Sequence, residues 1–154
     1  MKRYFFTVLL ALASLLSTAP ASAASDKGSA EEAVALVKKG VAFIKANGTE
    51  AAYAAISDTK GQFIDRDLYL FVFDMNGKAL AHGANPKLIG KILMDMKDAD
   101  GKMFVKDFYE VAHKKGRGWV DYKWPHPVTK ALEQKSTYIE KLDNDTIIGC
   151  GVYK

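Results

Sequence analysis

The sequence of 154 residues contains a single cysteine, Cys150. One cysteine cannot form a disulfide within the chain, although small exported domains often depend on such bridges. The hydrophobic core must therefore hold the fold, which a domain of this size can achieve. Cys150 falls in residues 147–153, an apolar segment with the pattern of a buried strand. This position favours a small apolar side chain in the core over a reactive thiol.

The sequence also has no large excess of positive or negative charge. The chain has 22 Lys and Arg against 18 Asp and Glu, for a formal net charge of +4. Lys2 and Arg3 stand at the very start, and without them 20 basic side chains face the same 18 acidic ones, a net charge of +2. No dense run of Lys or Arg occurs. The composition therefore argues against nucleic acid as a partner.

Motifs of catalysis and metal binding are missing from the sequence as well. There is no haem-attachment motif, no glycine-rich phosphate loop and no nucleophile elbow. The three histidines are far apart in sequence and lack the spacing of metal ligands: His82, His113 and His126. These absences predict a protein with no catalytic residue, no metal and no cofactor.

A cluster of acidic residues precedes Gly101, namely Asp95, Asp98 and Asp100. A calcium loop would need further oxygen ligands in register, above all a bidentate Glu at its end, and none is found there. We therefore expect these carboxylates to be solvated in a loop and to cap a helix that starts near Lys102.

Long hydrophobic runs are absent except near the N-terminus. Residues 5–16 are almost continuously apolar after Lys2 and Arg3, and residues 21–23 read Ala-Ser-Ala. The run is shorter than the ~20 apolar residues that span a bilayer. This pattern predicts a signal peptide at residues 1–23, with a retained membrane anchor as the alternative. Residues 24–154 then form one domain, periplasmic or secreted.

The first part of this domain has a helical pattern. Asn47 and Gly48 supply a stop for the helix, and Thr49 is placed to cap a second short helix that runs to residue 55. The apolar positions of the first helix, which starts at residue 30, form one stripe: Val34, Val37, Val41 and Ile44.

After this helical part, the sequence pattern becomes typical of β-strands. Residues 74–77, Asp-Met-Asn-Gly, predict a tight hairpin turn, and residues 104–116 have helical spacing after a long connection. Hairpin-like links predict an α+β fold, in which the connection and its helix cover one face of a five-stranded antiparallel sheet. The predicted strands are residues 68–73, 78–82, 119–124, 135–142 and 146–153.

Aromatic side chains cluster with a few polar ones around three of these strands. Aromatic walls with one cation are typical of a site for a small anion, because rings exclude water while a Lys and phenolic hydroxyls hold a carboxylate. An equally good interpretation is that the rings merely pack the sheet. The residues concerned are His82, Trp119, Tyr122, Trp124, Lys135 and Tyr138.

Several segments taken together resemble single Cache sensor domains, the family of calcium-channel and chemotaxis-receptor sensors. The resemblance implies a PAS-like sheet behind a long N-terminal helix and extracytoplasmic recognition of small molecules, often short carboxylates. It covers nearly all of the predicted mature chain. The segments are LFVFDMNGKALAHG at 70–83, LIGK at 88–91, DADGK at 98–102, GWVDYKWP at 118–125, KSTYI at 135–139 and IGCGVY at 148–153.

Within this resemblance, Lys135 is the residue we expect to pair with a ligand carboxylate. Alternation along the strand places Lys135 on one face with Thr137 and Ile139. We expect the ammonium to lie near Tyr122 and Trp124, with a solvent-facing lysine as the alternative. His82 is the predicted second polar contact, and a purely structural histidine is equally compatible with the sequence.

The sequence departs from the resemblance at its end. Cache domains usually sit between two membrane spans, and here Lys154 follows the last strand directly. We therefore expect a non-catalytic binding protein that acts in trans on a membrane receptor or kinase. The alternatives are a small exported enzyme using the same pocket and an interaction module with no ligand. Leu36 and Phe43 flank the first helix's apolar stripe and would suit an antiparallel homodimer.

Overall fold

The computed structural model describes residues 26–154, so the predicted signal peptide lies outside the described residues. Three helices, six strands and a short 3-10 turn at Pro86–Leu88 make up this part of the chain. The helices are α1 (Ala30–Asn47), α2 (Thr49–Ser57) and α3 (Phe104–Lys115). The strands are β1 (Ile64–Asp65), β2 (Leu68–Asp74), β3 (Ala79–His82), β4 (Arg117–Pro125), β5 (Leu132–Lys141) and β6 (Thr146–Tyr153).

Local capping residues set the limits of α1. The Ser29 side chain accepts from the Glu32 backbone N–H, and the Glu32 carboxylate accepts from the Ser29 N–H, so two unpaired donors of the first turn are satisfied. Gly48, with a φ of 79°, ends the helix as predicted. The expected cap on α2 is wrong, because Thr49 is already helical and Gly48 occupies the cap position without a side chain.

The predicted five-stranded antiparallel sheet is confirmed in β2 to β6. The order across the sheet is β4-β5-β6-β2, and the far edge of β2 carries β1 against its start and β3 against its end. β1 was not predicted, since two residues are too few for strand alternation. β4 and β5 pair from Arg117 with Glu140 to Pro125 with Leu132 and are longer than predicted. Lys135 therefore lies inside β5 and not at its entry.

α1 and α2 cover one face of the sheet, here called the helix-pair face. A Cβ on Gly40 would lie 2.6 Å from the Leu70 side chain, so glycine permits the close approach of α1 to the sheet. Ala33 and Val37 are the other fully buried positions of α1. The predicted stripe is therefore rotated, and Val34, Val41 and Ile44 lie at its border. Cys150 is fully buried on this face, as expected.

α3 and the connection before it cover the other face, here called the connection face. Phe104 and Phe108 of α3 pack on Phe71, Tyr122 and other sheet residues. The prediction that a helix and connection cover one face is confirmed, and a second helical layer covers the other. None of the helices in residues 26–154 is both long enough and apolar enough to cross a membrane.

In the acidic cluster of the connection, Asp98 binds backbone groups of its own loop and of the edge strand β4. Asp98 accepts hydrogen bonds from the backbone N–H groups of Asp100 and Lys102, at 2.9 Å each, and from that of Lys123 in β4, at 3.0 Å. Lys102 donates to the Asp121 carbonyl of β4 at 2.6 Å. These side chains therefore close a loop and satisfy edge groups of β4. The expected cap on α3 is not formed, since Met103 holds that position without a side-chain bond.

Candidate ligand-binding site

A small cavity lies between the connection face of the sheet and the segment joining β3 to α3. Its volume is about 20 Å³, enough for roughly one water molecule. Residues of β2, β3, β4, α3 and the connection line it, among them Tyr69, His82, Phe104, Tyr122 and Trp124.

A wider opening of about 280 Å³ lies beside this inner cavity, here called the vestibule. Tyr69, His82 and Trp124 line both spaces and form the wall between them. The vestibule is completed by the start of the connection and by the β4–β5 loop, including His126 and Lys130. The sheet therefore has a two-chamber depression on its connection face.

Lys135 lies directly behind Tyr69. Its side chain is only 1% exposed, so the alternative of a solvent-facing lysine is wrong. Nζ donates to the hydroxyl of Tyr69 at 2.6 Å and to that of Tyr153 at 3.2 Å. It also lies 4.0 Å and 4.6 Å from the two ring centroids, within the range of cation–π attraction. Lys135 itself lines neither chamber, and Tyr69 stands between its ammonium and both.

A glycine in β6 makes room for this lysine. A Cβ on Gly151 would lie 2.2 Å from Cε of Lys135 and 2.4 Å from Oγ1 of Thr137. Any side chain at Gly151 would therefore force Lys135 to move, since real Cβ atoms do not approach so closely. The lysine also ranks among the largest fully buried side chains. Truncation of Lys135 to alanine would leave a cavity and should therefore destabilise the fold.

The environment of Lys135 works against its charge. Burial lowers the pKa of Lys135 to about 7, and the negative charge of Asp67 offsets this only in part. An ammonium in this position gains little from its two phenol partners compared with water. The group is therefore poised between its charged and neutral forms near neutral pH.

The phenols around Lys135 stay neutral. Burial raises the pKa of Tyr69 and of Tyr122 well above the usual value, and that of Tyr153 is raised mainly by burial as well. Tyr153 donates to the Pro125 carbonyl at 2.9 Å, and the Tyr69 and Tyr153 hydroxyls are 3.5 Å apart. The network can therefore donate and accept hydrogen bonds but carries no compensating negative charge.

His82 is held by its own loop. The ring is 4% exposed, and Nδ1 accepts from the backbone N–H groups of Ala84 at 3.3 Å and Asn85 at 3.0 Å. Burial, with a smaller effect from the Lys135 charge, lowers the pKa of His82 to about 3. A neutral imidazole that accepts at Nδ1 carries its proton on Nε2. His82 can thus be structural through one nitrogen and a ligand donor through the other.

The predicted aromatic residues divide between the two faces. Tyr122 stacks on Phe104 at 4.3 Å between ring centroids with an interplanar angle of 3°, and Trp124 meets Phe104 edge-on at 5.2 Å. Both line the inner cavity. Trp119 and Tyr138 contact each other at 5.5 Å and line neither chamber. The structure therefore brings His82, Tyr122 and Trp124 together around the cavity, with Lys135 one layer deeper.

Four residues near this site were not predicted: Tyr69, Tyr153, Asp67 and His126. His126 lies 4.7 Å from the Tyr153 ring, and its Nε2 is 3.7 Å from the Asp67 carboxylate. Asp67 is fully buried, and its Oδ1 accepts from the Gly28 N–H at 2.6 Å while its Oδ2 has no hydrogen-bond partner. Tyr69 could have been found by alternation with Phe71 and Phe73, whereas Tyr153 needs the register of β5 with β6.

A larger surface groove, of about 620 Å³, lies elsewhere, along α3 and the edge of β4. Its charged side chains pair with one another, for instance Lys102 with Asp107 at 3.1 Å and Lys154 with Asp121 at 3.1 Å. The groove is open and contains no buried polar group aimed into it. The inner cavity, with a buried lysine behind it, is the better candidate despite its smaller size.

Residues 26–154 contain no group of three or more His, Cys, Asp or Glu side chains placed to hold a metal ion. What the site offers is an apolar cavity, a neutral imidazole N–H, a phenol hydroxyl and a latent cation behind that hydroxyl. These groups can recognise an anion and exclude water from it.

Comparison with known proteins agrees with this geometry. The chain is 34% identical over 90 residues to the methyl-accepting chemotaxis protein McpP of Pseudomonas putida, covering 58% of this chain and 16% of that protein. It is 32% identical over 89 residues to the sensor histidine kinase MctS of Rhizobium johnstonii, covering 57% of this chain and 19% of that protein. The chain thus spans less than a fifth of the length of these relatives.

Solved structures match over more of the domain. A methyl-accepting chemotaxis protein from Vibrio parahaemolyticus superposes with a TM-score of 0.70 at 28% identity, covering 80% of this chain and 86% of that one. A Cache chemosensory domain studied for carboxylic acid recognition gives a TM-score of 0.62 at 28% identity with the same coverage. The periplasmic sensor domain of a chemotaxis protein gives 0.62 at 26% identity, covering 80% and 88%.

The match to the family itself extends over almost all of the described residues. Residues 27–154 fit the family described as the Cache domain. The antiparallel sheet and the long N-terminal helix agree with the fold expected from the sequence resemblance. The chain therefore belongs to the Cache domain family.

Proposed function

We propose that this domain binds a short organic monocarboxylate in the inner cavity, outside the cytoplasm and without chemical conversion. The observation that carries the proposal is the buried Lys135 ammonium, hydrogen-bonded to two neutral phenols behind an otherwise apolar chamber. A buried charge is expensive to maintain without a counter-charge, and a ligand carboxylate would supply one.

The ligand's carboxylate would accept from the Tyr69 hydroxyl and from Nε2–H of His82, which both line the chamber. Lys135 would act through its 2.6 Å bond to Tyr69 or by a short shift toward the ligand. Hydrogen bonds to charged groups contribute about 1.5–3 kcal/mol, more than neutral ones.

The rest of the chamber selects for a small apolar tail. Phe71, Leu93 and Met96 line it and offer no partner for a second charge. A dicarboxylate or an amino acid would bury an unpaired charge there, which costs several kcal/mol. We therefore expect acids such as acetate or propionate to bind in preference to succinate or alanine.

Ligand entry requires the wall between the two chambers to move. The inner cavity of about 20 Å³ is smaller than any such acid, whereas the vestibule of about 280 Å³ is not. We expect Trp124, a half-buried residue, and the connection that starts at Ala84 to move when the ligand enters. Binding would then reorder the connection, a change that a partner could detect.

The relatives support a sensing role. Both matched full-length proteins are receptors or sensor kinases by name, and one similar structure concerns carboxylic acid recognition. We infer for this chain a periplasmic location and a membrane receptor or kinase as its partner in trans. Recovery of the protein from the periplasm with Ala24 as its first residue would support the location, and retention of Met1 in the membrane fraction would refute it.

A thermal-shift screen with product analysis tests the function. The panel comprises acetate, propionate, pyruvate, succinate and alanine, each added to wild type and to two variants. We expect the monocarboxylates to raise the melting temperature of wild type and of Trp119→Phe, a control on the opposite face, but not that of Lys135→Met. Conversion of a hit would favour the enzyme alternative, and no hit at millimolar concentration would favour an interaction module.

A further inference from the structure

We propose that a carboxylate ligand binds to this domain together with one proton, which is taken up from solvent by the amino group of Lys135. The inference rests on the proposed function of the cavity and adds its dependence on pH. In chemical terms, the neutral amine, the carboxylate anion and a proton combine into an ammonium–carboxylate pair, and no other bond forms or breaks.

The geometry of the ligand-free site is the main reason. No carboxylate oxygen within residues 26–154 lies at ion-pair distance from Nζ of Lys135, whose two hydrogen-bond partners are the phenols of Tyr69 and Tyr153. The side chain is 1% exposed, so water does not replace the missing counter-charge. The ammonium form therefore lacks a stabilising anion until a ligand arrives.

The titratable groups near Lys135 on β3, β4 and β6 supply no negative charge at neutral pH. On β4, Tyr122 lies opposite Lys135 in the sheet and has its pKa raised by burial. On β3, burial and, to a smaller extent, the Lys135 charge hold the pKa of the neutral His82 low. On β6, burial raises the pKa of Cys150 to about 12, so its thiol stays protonated.

One buried carboxyl group, that of Asp67, acts on Lys135 from the β1–β2 turn. Its charge favours the ammonium but does not outweigh burial. Asp67 accepts from Gly28 and lies 3.7 Å from Nε2 of His126 on the β4–β5 loop, so its contacts are directed away from Lys135. Since burial dominates, the pKa of Lys135 is lowered to about 7 in the ligand-free protein.

The sign of the effect follows from linkage. A bound carboxylate favours the ammonium and raises the pKa of Lys135 again. Above about pH 7 the ligand must then bring a proton with it, and its affinity falls by roughly tenfold per pH unit. Between about pH 6 and 7 the amine is already protonated, and affinity changes little.

Calorimetry with propionate tests the uptake. Titrations at about pH 8 in Tris and in HEPES, which differ in ionisation enthalpy, give the number of protons bound per ligand, as do titrations at about pH 6 in MES and bis-Tris. We expect about 0.9 protons at pH 8 and about 0.1 at pH 6, from a lysine that titrates near 7. Equal heats in both buffers at pH 8 would overturn the inference while leaving the binding function intact.

A measurement without ligand separates the two proposals. In protein labelled with ¹³C-lysine, one Cε signal should titrate near pH 7, and it should be absent from Lys135→Met. Addition of propionate should move that midpoint upward by at least one pH unit. A Lys135 signal that stays in the ammonium form beyond pH 9 overturns the inference, and no binding of propionate at any pH overturns the proposed function as well.

Discussion

The helix-pair face and the connection face of the sheet differ in the polar groups they bury. On the helix-pair face, Leu70, Val72 and Ile148 are fully buried and pack in one apolar cluster with residues of α1 and α2. On the connection face, Lys135 and His82 are buried beside Phe71 and Tyr122. Burying apolar side chains stabilises a fold, whereas burying a lysine opposes it. The helix-pair face therefore contributes mainly to stability, whereas the connection face carries the groups proposed for ligand recognition.

The largest effect should follow from truncating the helix-pair face. Leu70 is 0% exposed and packs against Gly40 of α1, which has no side chain to fill the space that truncation would leave. We expect Leu70→Ala to lower the free energy of unfolding by about 2–5 kcal/mol in urea denaturation. Propionate affinity of the folded variant should stay within about twofold of wild type, and a loss as large as that of Lys135→Met would break the division between the faces.

On the connection face, protonation of the buried Lys135 should destabilise the fold, and this should appear in the pH dependence of stability. The pKa of Lys135 is about 7 in the folded protein and near its usual 10.5 when unfolded, so the unfolded chain holds more protons between these values. The contribution of Lys135 to stability should therefore rise as pH increases from about 7 to 9, by a few kcal/mol at most, before the raised pKa of the Cys150 thiol begins to act with the opposite sign. Urea denaturation of wild type and Lys135→Met at matched pH measures it, since the variant should lack this rise.

Replacing the lysine should separate binding from stability more directly. Methionine fills a similar volume without the charge, so Lys135→Met should be at least as stable as wild type at neutral pH. Loss of the counter-charge should weaken propionate binding by roughly ten- to a hundredfold, or about 1.4–2.8 kcal/mol. Calorimetry on both proteins measures the affinity. Unchanged affinity in the folded variant would remove Lys135 from the site.

Much of the fold could be predicted because its signals are local. The limits of α1 depend on Ser29 and Gly48, and the β2–β3 turn has the expected residues from Asp74 to Gly77. The face of α1 that meets the sheet was less predictable, because Gly40 is buried for lack of a side chain and carries no hydrophobic signal. β1 has only two residues, and its pairing with β2 depends on tertiary structure.

The sequence predicts which face of the sheet carries the site residues, but not how deeply Lys135 is buried or which groups it contacts. Lys135 of β5 pairs with Tyr122 of β4, and residues paired across antiparallel strands share a side. Alternation along β4 then places Trp124 on the same face, the connection face. Of the partners of Nζ, Tyr69 comes from β2, far away in sequence, and Tyr153 from the next strand, β6, and the observed pairing of the strands brings them together. The space that Gly151 leaves for the lysine likewise has no sequence signature.

The smallest predicted effect concerns His82, which has both a structural role and a proposed role in ligand binding. Its Nδ1 holds the backbone at Ala84 and Asn85, while Nε2–H remains for a ligand. Asparagine can place an oxygen near the position of Nδ1, and glutamine can place an amide near Nε2. If the ligand uses Nε2–H, His82→Asn should lose one hydrogen bond to the carboxylate, worth about 0.5–1.5 kcal/mol or roughly three- to tenfold in propionate affinity.

The glutamine variant is the matched comparison for this prediction. His82→Gln loses the acceptor for the loop N–H groups and should lower the melting temperature more than His82→Asn, while its amide keeps a donor near the chamber. Both variants lose the same ring stacking on Tyr69 and Phe71, at 5.2 Å and 6.2 Å, so that term cancels between them. Calorimetry and thermal unfolding of the pair therefore separate the two nitrogens. Equal affinities, with only stability affected, would make His82 a structural residue and leave the Tyr69 hydroxyl as the donor that contacts the carboxylate.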